Sequence, residues 1–238
     1  MLQPSTRTTP DRNKLLKGGA ERPDAQHMVE TFESEPGGSR MLQAQQIEEA
    51  RAAHLRETIP VAGEAFATVA PTPRRSRKLR KWAEESRKVG AALQMLEQNG
   101  MAVLHDRSIP GTDGNIEHFA VGNQGIVIVR VAPFKGRIRT KKTQVFVGGN
   151  NITIVMNGLA ARVDTVRHMV GGDCEVHGAL CLMDHKSDPK MFGPTMVGST
   201  QGTIEELARR HAAMPPRDDI SKLANDLDTI FLPATLLA

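Results

Sequence analysis

Apolar positions recur through residues 77–99 at alternating spacings of three and four, as Trp82, Val89, Leu93 and Leu96, with Ser86 on the same stripe. That period predicts a helix with one face against a core, and Gly100 supplies its C-terminal stop. Beyond it the pattern shortens. "MAVLHD" (101–106) predicts a strand and "RSIPGTDG" (107–114) a turn-rich loop. "NIEHFAV" (115–121) and "GIVIVRV" (125–131) predict two strands joined by the tight "GNQG" turn, a hairpin. One or two further strands are expected around residues 145–147, closed by Gly148 and Gly149, and "NITIVMNG" is expected to add another. Leu159, Val163, Val166 and Val170 then mark one face of a helix over 158–170, and "VHGALCLMD" (176–184) reads as a buried strand. Thr203 with Glu206 three residues later predicts a capping box for a helix that ends before Pro215 and Pro216, and 219–229 a last amphipathic helix. A helix, antiparallel strands, a helix, a strand and closing helices make an α/β sandwich the natural architecture.

The N-terminal third lacks such a pattern. Residues 1–40 are rich in Pro, Gly, Ser, Thr and charge and carry few aliphatics, too few to offset the entropy of folding. "MLQAQQIEEARAAHLRETI" (41–59) predicts one isolated or docked helix, and "PVAGEAFATVAPTP" (60–73) a linker. Residues 1–73 are therefore expected to be a mostly disordered extension, 74–88 a basic helix entry, and 79–232 a folded domain.

Composition narrows the chemistry. Tyrosine is absent, and one Trp and seven Phe leave a core to be built from Val, Ile, Leu, Met and Ala. Two cysteines, Cys174 and Cys181, suggest neither a disulfide framework nor a zinc site, so a reduced, cytoplasmic setting is expected. No apolar run approaches the length of a signal peptide or a membrane span, and "LPATLLA" at the end lacks the features of a sorting signal, so no membrane partner is expected. Charge is uneven: net −2 over residues 1–73, +6 over 74–88 and zero over 89–238, which together give the chain's +4. The positive block holds Arg74, Arg75, Arg77, Lys78, Arg80 and Lys81, and a second cluster holds Lys135, Arg137, Arg139, Lys141 and Lys142. Clusters of this kind are the footprint of phosphate-backbone binding, although a solvated basic helix gives the same pattern. Scarce aromatics argue against base stacking, so no preference for single strands is expected.

The stretch "VGAALQML…GMAVLHDRSIPGTDGNIEHFAVGNQGIVIVRVAPFKGRI" resembles the nuclease-related domain, NERD, of bacterial proteins, over about residues 82–186. Members of that family are similar to PD-(D/E)xK nucleases. The resemblance implies a restriction-endonuclease-like core, a mixed sheet flanked by helices, and action on DNA. Position by position it also implies a damaged centre. Ser86 stands where the family's first helix has a glutamate, Glu117 replaces the aspartate after Asn-Ile, and Arg130 and Ala132 stand where an acid and a lysine close the next strand.

Such centres bind Mg²⁺ through carboxylate oxygens, and the ion activates water and neutralises phosphate. An arginine at the second acid position would repel the ion or replace it as a phosphate ligand. Lys135 does not restore the missing lysine, since strand alternation puts it on the other face from Arg130 and Ala132 unless a bulge near Pro133 intervenes. No cofactor is expected, Mg²⁺ entering only if the chain is a weakly active nuclease. Several residues have plainer readings: His118 as a packed or outward histidine, Asp106 and Asp113 as backbone caps in the loop, Arg130 as a rim residue. Three functions stay open: a non-cleaving nucleic-acid binder, a weak metal-dependent nuclease using Glu117 with Glu84 or Glu85, and a structural or protein-partner-binding domain. The mapping requires Glu117 and Arg130 on neighbouring central strands, with side chains within salt-bridge distance.

Overall fold

The structure, a computed structural model, describes residues 35–59, 71–171, 174–183 and 188–234. Its centre is a six-stranded mixed sheet. β1 (Ala102–Ser108), β2 (Asn115–Gly122) and β3 (Gly125–Ala132) form an antiparallel meander. β7 (Val176–Leu182) and β9 (Thr195–Ser199) add parallel to β3 in turn, and β8 (Lys190–Phe192) closes the far edge antiparallel to β9. The order is β1-β2-β3-β7-β9-β8. A second antiparallel sheet of β4 (Ile138–Lys141), β5 (Gln144–Val147) and β6 (Asn150–Asn151) lies in the connection between β3 and β7.

Helices cover both faces, as a sheet with two apolar sides requires. On one face α3 (Thr153–Val170) and α5 (Ile220–Ile230) bring Leu159, Val163, Leu227 and Phe231 against Phe119, Ile126 and Ile128. On the other, α2 (Arg74–Gln94) and α4 (Thr200–Ala213) bring Val89, Leu93 and Leu207 against Val127, Val129, Val131, Ala179 and Cys181. The alternation of even and odd residues along β3 sorts its side chains between the two cores. α2 buries Ser76, Ala83, Ser86, Val89, Gly90 and Leu93 at helical spacing, continues as a 3₁₀ turn over Met95–Asn99, and stops at Gly100, whose φ of 84° is left-handed. The α/β class expected from the sequence is the one observed.

α1 (Gly38–Thr58) precedes α2 and packs on it. It begins three residues earlier than its apolar pattern suggests, so residues 35–40 are a turn and a first helical turn; the readings of 1–34 and 60–70 lie outside the described residues. Other differences are local. "NITIVMNG" is a strand only at Asn150–Asn151 and a helix from Thr153. The Asn151 Oδ1 accepts from the Thr153 N–H at 3.0 Å, and the Leu159–Val163–Val166 stripe draws the β-branched residues before it into the helix. Residues 190–199, for which the sequence pattern predicts no element, supply β8 and β9. The cap of α4 is Ser199, whose Oγ accepts from Gly202 N at 3.0 Å; Thr203 is inside the helix and buried.

Asp106 lies in β1, within the strand expected over 101–106 and not as a cap in the loop after it, and its φ of 47° is left-handed. The kink interrupts the β1–β2 register between His105↔His118 and Arg107↔Ile116. Beyond it, Ser108 N donates to Leu232 O and Ala234 N to Asp106 O, so the end of the chain covers the free edge of β1.

Candidate functional site

The ladder between β2 and β3 ends at His118↔Val129. One residue further the strands part, and the Glu117 carboxylate fills the gap. Its Oε2 accepts from the Val131 N–H at 2.9 Å, and the Val131 carbonyl accepts from the Trp82 indole N–H at 3.2 Å. Side chains therefore hold both backbone groups of Val131 at the end of β3.

Cations surround this carboxylate. Arg40 of α1 reaches Oε1 with Nη2 at 2.6 Å, and Arg130 Nε lies 3.7 Å from the same oxygen. The Arg40 guanidinium rests over the Trp82 ring, 4.4 Å from its centroid. Arg162 of α3 binds the carbonyls of Asn115 and Gly158 at 3.3 and 3.1 Å, and a Cβ on Gly158 would sit 3.7 Å from both Arg130 Nη1 and Arg162 Nη1. Burial, with Arg162 and Arg40 adding to it and Glu117 opposing, lowers the Arg130 pKa, yet a guanidinium keeps its charge at any ordinary pH. Glu117 is 5% exposed, against 12% for Arg40 and 21% for Arg130.

Behind Arg40 a second carboxylate anchors the same helix. Asp106 accepts from Ser39 N at 2.6 Å, Ser39 Oγ at 2.8 Å and Asn115 Nδ2 at 2.7 Å. It satisfies a first-turn N–H of α1 that has no partner within the helix, the service an N-cap side chain usually gives. Desolvation pushes the Asp106 pKa up against the pull of these bonds and of Arg40. Beside this anchor opens a cleft of about 540 Å³, walled by α1 and residues 109–114, with Arg40, Arg75 and Asn115 on its lining.

Ser86 meets His118 and not Glu117. Its Oγ lies 3.2 Å from His118 Nε2, and His118 Nδ1 lies 2.9 Å from His105 Nδ1. A serine, a histidine and an orienting partner suggest a nucleophile, but Ser86 and His118 are fully buried and no substrate could reach them. Desolvation holds His118 well below the usual histidine pKa and His105 down at about 4, so both rings are neutral. The set is a packing device, as is Cys181, whose thiol burial pushes up to about 12. Ala132, the last residue of β3, ends in the apolar core.

These residues do not fit Mg²⁺. The ion requires near-octahedral oxygen coordination, usually with more than one carboxylate. Both Glu117 oxygens are already engaged, Asp106 is saturated by Ser39 and Asn115, and the nearest charges are guanidinium groups. Among the described residues, no three acids, histidines or cysteines are grouped as metal ligands.

The basic segments are displayed unequally. Arg74, Arg75, Arg77, Lys78 and Lys81 are exposed on the first turns of α2. Arg80 instead pairs with Glu48 of α1 through Nη2 at 2.6 Å and Nε at 3.0 Å, and Ser76 bonds the same carboxylate. Lys135, Arg137, Arg139, Lys141 and Lys142 are exposed in and before the small sheet. Arg40 and Arg162 were invisible to pattern reading, since one lies in a stretch judged unable to fold and the other amid a helix. One signal was available: residues 118–163 contain no Asp or Glu.

Residues 80–183 match the family model of the nuclease-related domain, NERD. Neither a curated protein nor a solved structure matches the chain. The matched segment includes Ser86, Glu117, Arg130 and Ala132 but stops short of Arg40 and Ser39. Residues 80–183, and with them the sheet end that holds Glu117 and Arg130, are thus similar to the nuclease-related domain family.

Proposed function

We propose that this nuclease-related domain holds the phosphate backbone of DNA without cutting it. The observation that carries the reading is the cluster of Arg40 and Arg130 around Glu117, with Arg162 beside Arg130. A cation site has become a site for anions, since fixed guanidinium groups occupy the place where a divalent ion would have to be held. The exposed cations of α2 from Arg74 to Lys81 and those of the 135–142 segment extend the positive surface beyond the site. The metal-dependent nuclease reading has only Glu117 to build on, because Glu84 is exposed on α2, Glu85 pairs with Lys88 on its surface, and Ser86 serves His118.

The test combines cleavage and binding on the same DNA. With Mg²⁺ or Mn²⁺ against EDTA, no metal-dependent cutting is expected. Binding should weaken with salt at a log–log slope of about −0.9 per phosphate contacted. Neutralising Arg74, Arg75, Arg77 and Lys78 together should weaken every sequence alike and flatten that slope, because phosphate contacts carry no base information. Arg130→Ala should weaken binding further if the cluster takes a phosphate. Metal-dependent cutting abolished by Glu117→Gln would reinstate the nuclease, and absence of salt-dependent binding at low ionic strength would turn attention to a protein partner.

A further inference from the structure

The small sheet turns one face inward and the other to solvent. Ile138, Val145 and Val147 are buried on the inner face, so strand alternation places Arg139, Lys141, Gln144 and Phe146 on the outer one. The register puts Arg139 directly across from Phe146 on one side and Asn151 across from it on the other, with Lys141 facing Gln144 in the next row. Opposed residues in such a ladder have Cβ atoms about 5 Å apart, so the Arg139 stem runs beside the partly exposed Phe146 ring. A groove of about 520 Å³ follows this row, lined by Arg137, Arg139, Lys141, Phe146, Gly148 and Gly149.

The floor of the groove is fixed. Gly148, with φ of 55°, lies so close to the 135–136 backbone that a Cβ there would stand 1.8 Å from the Lys135 carbonyl oxygen. The β4–β5 turn carries Lys142 at a left-handed φ of 53°, which leaves its ammonium at the exposed tip. No acid occurs between Glu117 and Asp164, and among the described residues no carboxylate pairs with Arg137, Arg139, Lys141 or Lys142. A flat face with one ring and flanking unpaired cations matches a strand whose base lies on the ring and whose phosphates lie on the cations. A duplex keeps its base faces stacked inside and offers nothing to the ring.

We infer that the outer face of β4–β5–β6 is a platform for single-stranded DNA, with Phe146 stacking one base and Arg139 and Lys141 holding the adjoining phosphates. This rests on the domain being a backbone binder and adds strandedness and a base contact to it. The scarcity of aromatics, which argued against stacking, counts for less than the placement of this one ring.

The test is fluorescence anisotropy of the full chain with a labelled oligothymidylate of about 12 nucleotides and with a duplex of the same length. Phe146→Leu should weaken the single strand about tenfold and leave the duplex and both salt slopes unchanged. Phe146→Trp should retain the affinity, and the tryptophan fluorescence it adds should be quenched by the single strand. Arg139→Gln should weaken both substrates and flatten the slope. Equal single-strand binding by Phe146→Leu and the unaltered chain, with no quenching in Phe146→Trp, would overturn the platform while leaving backbone binding intact. Binding of neither substrate at low ionic strength would remove both.

Discussion

Replacing Glu117 with glutamine takes away the one charge that Arg40 and Arg130 share, while preserving shape and leaving an oxygen for the Val131 N–H. Breaking a buried pair from one side costs about 3–5 kcal/mol, and the partial exposure of both arginines moves the expected loss towards 3 kcal/mol. Urea denaturation should show it, and adding Arg40→Leu to Glu117→Gln should return part, since that removes a cation left without its partner. The second residue-scale expectation concerns pH. His105 and His118 face one another through Nδ1, so one ring donates and the other accepts, and a proton on both would set two N–H groups together. Their folded pKa values are depressed, so the folded state binds fewer protons than the unfolded state below about 6.5. Their contribution is complete above pH 6.5 and is lost as pH falls towards 4, by about 3 kcal/mol for His105 alone. Asp106 works in the opposite direction, because its raised pKa favours proton uptake by the folded state. A denaturation midpoint that declines from pH 7 to 5, less steeply in His105→Gln, is the expected outcome; a flat profile would mean that the pair is open to water.

At the scale of elements, the helices and strands that face the core were legible because burial imposes a period on their sequence. Val89 and Leu93 on α2, Leu159 and Val163 on α3, and the alternation in β3 all carry it. α4 was found with its cap misplaced, since Thr203 and Glu206 imitate a capping box inside a helix that Ser199 begins. α1 was legible as a helix but not as part of the site. It buries only Gly38, Ser39, Met41 and Ala44, and its docking rests on Ser39 with Asp106, Arg40 with Glu117, and Arg80 with Glu48. Polar contacts between distant residues leave no period to read. They also make this helix easy to release: Ser39→Ala with Asp106→Asn should bring hydrogen exchange of the α1 amides towards that of an isolated helix, while β3 and β7 keep their protection. Unchanged α1 protection would show that the Arg40–Glu117 and Arg80–Glu48 pairs, with Met41 and Ala44, suffice to hold it.

For the whole molecule, the order of the sheet was less legible than its parts, because β8 and β9 are short and the parallel pairing of β3, β7 and β9 joins residues far apart in sequence. Glu117 and Arg130 could be singled out from the chain, whereas the guanidinium groups gathered there come from three separate elements, α1, β3 and α3. That origin has a consequence for where the functional unit ends. With α1 in place the centre counts three guanidinium groups against the carboxylates of Glu117 and Asp106; without it the tally is two against two, and both acids lose their nearest cation. A chain trimmed to residues 80–183 would lose Arg40 along with β8, β9 and the two closing helices, and would present the two acids with two guanidinium groups in place of three. The smallest piece of this protein that preserves its chemistry starts upstream of Ser39, and homology alone would draw the line about forty residues too late.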